Sequence, residues 1–120
     1  SRKRRRRRKN QRRKSDTKHF IDYFRYIKKM KLMNYKVTHY PTRQRFEIEL
    51  EGMTAYAEYR LTDNSLDIVH TFVPPSLEGK GIAGALTEAA YDYARANHLK
   101  PEGTCSYAAV WLKRHPEYLQ

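Results

Sequence analysis

Cysteine and long apolar runs are scarce in this chain of 120 residues. A single Cys excludes an internal disulfide framework and a structural zinc site built from cysteines. No apolar run approaches the roughly 20 residues that a membrane-spanning helix needs, and no uninterrupted apolar stretch near the first residue resembles a secretory signal. We therefore expect a soluble, cytoplasmic protein with a free thiol.

Acidic residues are absent from residues 1–14, which hold 11 of the 25 Lys and Arg residues. Residues 34–120 hold 9 bases and 11 acids, so most of the net charge of +12 belongs to the first part of the chain. Like charges with nothing apolar to bury predict a disordered basic segment over residues 1–18. Its first 14 residues could bind an anionic partner such as nucleic acid, but the rest of the chain is not a basic nucleic-acid-binding domain.

Residues 19–33 are predicted to form either a short amphipathic helix or a linker. Phe20, Tyr23, Phe24 and Ile27 have helical spacing, and Asp16 could cap such a helix. A helix of this kind could also lie on a membrane surface. A further interpretation is that translation starts at one of the two methionines of residues 30–33, in which case residues 1–29 have no role of their own.

From residue 34 onward the hydrophobic pattern predicts a folded domain, residues 34–120. Alternation with period 2 predicts strands over residues 35–40, 46–51, 53–61 and 66–73. The spacing then changes to a helical period over residues 82–98, followed by a short strand over 100–106 and a helix over 107–113. The predicted fold class is α+β, a mixed sheet with the order β-β-β-β-α-β-α, in which the crossover makes the last two strands parallel.

Three glycines, Gly79, Gly81 and Gly84, lie between the end of the fourth strand and the start of the helix. Unpaired N–H groups at a helix N-terminus carry partial positive charge, and glycines let an anion approach them closely. Lys80 adds a positive charge. The pattern predicts a phosphate-binding loop, although neither a P-loop nor a Rossmann context is present. A tight turn with no ligand is the alternative.

Residues 78–83 (EGKGIA) resemble the pyrophosphate loop of the GNAT N-acetyltransferase superfamily, Gln/Arg-x-x-Gly-x-Gly/Ala, with Glu78 at the first position. Further segments are similar to the minimal YjdJ-type branch of that superfamily, in which this Glu is usual: residues 70–75 (HTFVPP), 77–83 (LEGKGIA), 104–107 (TCSY) and 113–118 (KRHPEY). The resemblance covers residues 34–120.

The resemblance implies a truncated acyl-CoA N-acyltransferase fold whose fourth and fifth strands are splayed, with acetyl-CoA as cosubstrate in the wedge and no metal. The pantetheine arm would pair near Phe72 and Val73, and Tyr107 would flank it or simply pack. The pyrophosphate would bind the backbone of Gly79, Lys80, Gly81, Ile82, Ala83, Gly84 and Ala85.

Cys105 and His70 are the predicted catalytic residues, because parallel neighbouring strands should bring them to one region. In direct transfer, a neutral amine attacks the thioester and one of the two residues handles a proton. In a covalent route, Cys105 is acetylated first. Direct transfer is favoured because most members of the superfamily use it. A small buried Cys and a core His are the structural alternatives.

The acceptor is predicted to be a primary amine: a protein lysine, an N-terminus or a small amine. Only a short turn separates the first two strands, so the acceptor site should be open. The acidic stripe of Glu47, Glu49 and Glu51 is a solvated strand face or a surface that attracts this amine. Two alternative functions are a CoA-binding module with little turnover and a nucleic-acid-associated protein.

Overall fold

Five strands of the described residues, 35–120 of this computed structural model, form one mixed sheet. The strands are β1 (Thr38–Tyr40), β2 (Arg45–Leu50), β3 (Met53–Leu61), β4 (Ser65–Phe72) and β5 (Lys100–Gly103). They are ordered β1-β2-β3-β4-β5, antiparallel up to β4, and β4 pairs with β5 in parallel. The predicted element order and the parallel last pair are confirmed. The basic segment, the possible helix of residues 19–33 and both methionine starts lie outside the described residues.

Two helices complete this unit: α1 (Ile82–Ala96) and α2 (Ser106–Arg114). α1 lies between β4 and β5 in the chain, and its buried residues are Ile82, Leu86, Thr87, Ala90, Tyr91 and Ala94. Side chains of β3 alternate between the two faces of the sheet, and the small Ala55 and Ala57 lie on the face that α1 covers. Their small size lets the helix approach the sheet closely. The core therefore lies between α1 and one face of the sheet.

Two strands are shorter than their patterns predicted. β1 begins at Thr38 rather than at residue 35, because only three of its residues pair with β2. β5 ends at Gly103 rather than at residue 106, since Thr104 leaves the sheet and α2 begins at Ser106.

A bulge in β4 determines which side chains face the helices. Tyr59 pairs with Ile68 and Glu58 pairs with His70, which leaves Val69 unpaired opposite β3. An extra residue reverses the alternation beyond it. As a result Thr71, opposite buried Ala57, faces the helix side of the sheet, whereas His70 faces away from it.

β4 and β5 separate after the pair Ile68–Gly103. β4 continues to Phe72, paired with β3 on one side only among the described strands. The edge of residues 69–72 that β5 leaves therefore presents backbone N–H and C=O groups with no strand partner in residues 35–120. This is the opening that the predicted splay requires.

None of the helices in residues 35–120 is long and apolar enough to cross a membrane.

Candidate functional site

The loop before α1 has a backbone that glycine makes possible. Gly79 and Gly81 have φ angles of 78° and 77°, which side chains with a Cβ adopt only with strain. A Cβ built on Gly79 would meet no atom within 4 Å. The loop is therefore shaped by backbone conformation and leaves open space beside it.

The first turn of α1 has no cap from a side chain. Gly81 is the N-cap residue, no side chain of the described residues accepts a hydrogen bond from the N–H groups of the first turn, and the turn contains no acid. The first intrahelical bond runs from the Ala85 N–H to the Gly81 carbonyl, at 3.1 Å. The N–H groups of residues 82–84 therefore lack helical acceptors. They form the positive end of the helix dipole, which favours the binding of an anion.

Two contacts hold the glycine loop from outside. The Tyr35 hydroxyl donates to the Lys80 carbonyl, and the Lys80 ammonium lies 3.8 Å from a Glu51 carboxylate oxygen in the β2–β3 turn. Lys80 was expected to supply charge beside the phosphate. In this structure its charge is directed at Glu51, and both side chains are exposed enough for the pair to be weak.

A cleft of about 360 Å³ opens beside this loop, between the end of β4 and the two helices. Its lining contains four predicted cofactor residues, Phe72, Val73, Ala83 and Tyr107, and three that were not predicted, Thr71, Pro75 and Glu78. This volume lies within the range of about 300–1,000 Å³ that small-molecule sites occupy. The sequence singled out Glu78 only as a departure from a motif, and it missed Thr71 because the bulge is not visible in the hydrophobic pattern.

The other predicted loop residues contribute in different ways. The Ile82 side chain is buried in the core, so only its backbone can face the cleft. A Cβ on Gly84 would lie 3.5 Å from the Tyr107 hydroxyl oxygen, which brings α2 and the first turn of α1 together across the cleft. Burial raises the pKa of Tyr107, although 42% of the residue remains exposed. Tyr107 therefore stays protonated at neutral pH and can donate a hydrogen bond.

Cys105 lies where β5 has left the sheet and α2 begins, as the N-cap residue of α2. Its Sγ lies 3.7 Å from the Thr71 hydroxyl oxygen. Burial raises the pKa of the thiol, but hydrogen bonds from the backbone of Ala108, from the Thr71 side chain and from the backbone of Tyr107 and Thr71 outweigh burial, so the pKa lies below its ordinary value. A thiol at a helix N-terminus is the arrangement in which thiolate is stabilised.

His70 was expected to approach Cys105, and the fold separates them. The bulge at Val69 places His70 opposite Glu58 on the face away from Thr71, where its ring lies 5.7 Å from that of Tyr56. Within residues 35–120 the thiol has Thr71 as its side-chain partner, not an imidazole. The catalytic roles of Cys105 and His70 stay predictions, but the two residues do not form a hydrogen-bonded pair.

On this outer face Tyr56, His70 and Phe72 form an aromatic cluster. The rings of Tyr56 and Phe72 lie 5.7 Å apart, and His70 and Phe72 are exposed. The Arg45 guanidinium lies 3.9 Å from the centre of the Tyr56 ring, so a cation already packs on this cluster. Phe72 also lines the cleft, which makes the two surfaces continuous at the end of β4.

The acidic stripe is not a uniformly solvated face. Glu47 is only 8% exposed and lies 3.7 Å from the Arg43 guanidinium, whereas Glu49 and Glu51 are exposed. Among the described residues, no group of three His, Cys, Asp or Glu side chains could hold a metal ion.

A larger cavity, about 510 Å³, is lined by Arg95, residues 98–101, the last three residues and Asn64 of the β3–β4 turn. It contains none of the predicted site residues. The cleft at the end of β4, and not this larger cavity, is therefore where the candidate chemistry is gathered.

Comparison with known proteins gives a consistent assignment. A family model described as GCN5-related N-acetyl-transferase matches residues 45–120. Protein NATD1 of Xenopus tropicalis is 34% identical over 91 residues, 71% of this chain and 83% of that protein. Protein NATD1 of Danio rerio is 35% identical, over 71% of this chain and 82% of that protein. A solution structure of a GCN5-like protein from Staphylococcus aureus is 31% identical, with a TM-score of 0.56 over 72% of this chain and 85% of that one.

Proposed function

Since the chain belongs to the GCN5-related N-acetyltransferase family, we propose that it transfers an acetyl group from acetyl-CoA to a primary amine at the cleft beside β4. The observation that carries the proposal is the uncapped first turn of α1, which opens on the same cleft as the unpaired edge of β4.

The cleft fits the two polar parts of such a cosubstrate. The N–H groups of residues 82–84 would bind its pyrophosphate, since they lack acceptors and no acid lies in that turn. The edge of residues 69–72, which has no strand partner on this side in residues 35–120, would bond the amide groups of its pantetheine arm, as an added strand would. The backbone of Thr71 already bonds to the Cys105 thiol. Phe72, Val73 and Tyr107 supply the apolar walls.

In the proposed reaction the amine nitrogen attacks the thioester carbonyl, a C–N bond forms and the C–S bond breaks. The amine loses one proton, and the departing CoA thiolate gains one. Cys105 can supply the second proton, because a thiol whose pKa lies below the ordinary value is the stronger acid of the two thiols. His70 can accept the first proton, either directly or through water.

The placement of these residues favours direct transfer over a covalent Cys105 intermediate. A nucleophilic Cys is activated by an adjacent general base or by a lowered pKa at a helix N-terminus. Cys105 has the lowered pKa, but its side-chain partner within residues 35–120 is the Thr71 hydroxyl and not a base. His70 lies on the other face of β4, which is the side from which an acceptor would meet the end of the strand.

The aromatic cluster is the proposed approach surface for the acceptor. It is exposed, reaches the cleft through Phe72, and accommodates the Arg45 guanidinium on Tyr56. A protonated amine could dock there by the same cation–π interaction and lose its proton before attack. An open surface of this kind suits a protruding lysine, an N-terminus or a small polyamine.

The experiment combines calorimetry with CoA and an assay of CoA release from acetyl-CoA, with and without a panel of amines. We expect binding, and release that depends on an added amine. Binding without amine-dependent release would support a CoA-binding module instead. Absence of binding would overturn both proposals.

Gly81→Glu tests the anion site directly, because it places a carboxylate at the first turn of α1. We expect CoA binding to be lost. Gly52→Glu is the matched control, since Gly52 also has a positive φ, of 74°, but lies in the β2–β3 turn and not at the N-terminus of α1. Unchanged affinity in Gly81→Glu would contradict the anion site.

A further inference from the structure

One carboxylate holds the point at which β4 and β5 separate. The Asp67 Oδ1 accepts a hydrogen bond from the Thr104 backbone N–H at 2.7 Å, and its Oδ2 accepts one from the Thr104 hydroxyl at 2.5 Å. Thr104 is the first residue after β5, where the parallel ladder has ended. The Asp67 side chain therefore bonds the chain directly after β5, at the point where the backbone pairing between β4 and β5 ends.

The next residue along the chain, Cys105, is also bonded to β4. The Cys105 N–H donates to the Ile68 carbonyl at 3.0 Å, and the Cys105 carbonyl accepts from the Ala109 N–H at 2.9 Å, which closes the first turn of α2. Two consecutive residues, 104 and 105, are thus fixed to two consecutive residues of β4. The side chain of Cys105 is held beside Thr71 and the first N–H groups of α2 as a consequence.

Two other contacts act on either side of Thr104. The Tyr91 hydroxyl donates to the Glu102 carbonyl at 2.6 Å and holds β5, and Gly103 packs against the backbone of α2 and sets how closely that helix approaches β5. The bonds to Asp67 hold the residue between these two contacts. The Tyr91 hydroxyl on α1 interacts with three titratable groups, Asp67 on β4, Glu102 on β5 and the Cys105 thiol, and the backbone of Tyr107 on α2 bonds to the thiol.

We propose that Asp67 is a positioning residue for Cys105, and that by holding Thr104 it keeps the thiol against Thr71 and the N-terminus of α2. The importance of this for acetyl transfer rests on the proposed function. The positioning itself is a property of the fold and can be tested without any acetyl transfer.

The test uses the rate at which iodoacetamide alkylates the single Cys of the full chain, measured from pH 5 to pH 10. Asp67→Ala removes both hydrogen bonds. We expect the thiol pKa to rise and the rate at pH 7 to fall about threefold to tenfold, because the thiolate fraction falls with each rise in pKa. Thr104→Val, which removes one bond and no charge, should show a smaller change in the same direction.

If Asp67 acted on the thiol through its charge alone, Asp67→Ala would change the thiol pKa and the alkylation rate in the opposite direction. Removing a nearby carboxylate favours the thiolate, which would lower the thiol pKa and speed alkylation. Asp67→Asn separates the effects, because its amide can still accept from the Thr104 N–H and donate to the hydroxyl oxygen. Asp67→Asn and Thr104→Ser should keep the reactivity of the original chain. Asp63→Ala is the matched control, as Asp63 is exposed in the β3–β4 turn.

The proposal fails if Asp67→Ala and Thr104→Val leave the alkylation profile unchanged, or if Asp67→Ala speeds alkylation. Should Asp67→Ala not fold, Thr104→Val with its Thr104→Ser rescue decides the matter. A slower alkylation with unchanged acetyl transfer would uphold the positioning and remove Cys105 from the proposed mechanism. A slower alkylation with reduced kcat and unchanged KM would support both the positioning by Asp67 and the role of Cys105 in acetyl transfer.

Discussion

At the scale of single residues, the site depends on hydrogen bonds more than on charge pairs. Burial raises the pKa of Cys105, but hydrogen bonds from backbone N–H groups and from the Thr71 hydroxyl outweigh burial and lower it. The nearest cation of the loop, Lys80, is directed at Glu51. The chemistry proposed for the cleft therefore uses dipoles that the fold has already oriented, which cost little reorganisation during the reaction.

The first residue-scale prediction concerns Cys105→Ala. If the thiol donates the proton to the leaving CoA, the substitution should lower kcat about 100-fold and change the affinity for CoA far less. Cys105→Ser keeps the size and the hydrogen bond but is a much weaker acid, so its kcat should also be low. Equal turnover by the original chain and by Cys105→Ala would give the thiol a packing role only.

The second concerns His39 and the pH dependence of stability. His39 stacks on Phe46, with ring centroids 4.1 Å apart, and its Nε2 lies 2.5 Å from the buried Tyr59 hydroxyl. Burial lowers the pKa of His39 below 6.5. Between the pKa of His39 in the folded chain and its pKa of about 6.5 in the unfolded chain, the unfolded chain binds more protons. The contribution of His39 to the free energy of unfolding is therefore complete above about pH 6.5 and is lost as pH falls through the folded-state pKa.

We therefore expect the melting temperature to fall between pH 7.5 and pH 5, by less in His39→Gln than in the original chain. The Gln amide can still bond to Tyr59 but does not titrate. His98→Gln, at an exposed position, is the control and should keep the original pH dependence. If His39→Gln and His98→Gln both keep the full pH dependence of the melting temperature, His39 is not the source of that dependence.

At the scale of elements, the cleft exists because β5 stops while β4 continues. α2 begins three residues after β5 and packs on it so closely that a Cβ on Gly103 would lie 2.7 Å from the Ala109 nitrogen. Trp111 of α2 reaches Tyr91 of α1, with ring centroids 5.6 Å apart. The contact between the backbones of Gly103 and Ala109 sets how closely α2 approaches β5, while the bonds of Thr104 and Cys105 to β4 hold the start of α2.

Gly103→Ala should consequently lower the free energy of unfolding by about 1–3 kcal/mol, as overpacking does in a core. Gly84→Ala is the matched comparison, because its Cβ would meet the Tyr107 hydroxyl oxygen at an ordinary 3.5 Å within a helix. That variant should gain about 0.5–1 kcal/mol from the higher helix propensity of Ala. Thermal or urea unfolding measures both, and a Gly103→Ala variant as stable as the original chain would contradict the close packing.

At the scale of the whole molecule, the block of positive charge and the described domain occupy different parts of the sequence. Residues 1–14 carry 11 bases and no acid, whereas the family model matches residues 45–120, and the fully buried core of the described residues starts at Phe46. We propose that the basic segment binds a polyanion while the domain carries the acetyl transfer. The two activities should then be separable.

Removal of residues 1–29 tests this separation. We expect the melting temperature to change little, since the buried core of the described domain lies within residues 46–118. Affinity for nucleic acid, and its steep dependence on salt, should be lost with the 11 bases. Nucleic-acid binding that survives the deletion would assign it to the domain, and a large drop in melting temperature would show that residues 20–27 pack on it.

The sequence by itself determined the elements and the loop. Alternation with period 2 and the change to a helical period at Ile82 are local consequences of burying one face, so strands, helix and their order could be predicted. The glycines of the loop could be interpreted in the same way, since Gly79 and Gly81 are required by backbone conformation alone.

Only the tertiary structure decided which side chains meet. The extra residue at Val69 changes no hydrophobic pattern that a single strand displays, yet it moves His70 away from Cys105 and brings Thr71 to it. Asp67 and Thr104 are 37 positions apart and lie together only because β5 returns beside β4. Periodicity records which face of an element is buried, whereas register and strand divergence depend on partners that are distant in the chain.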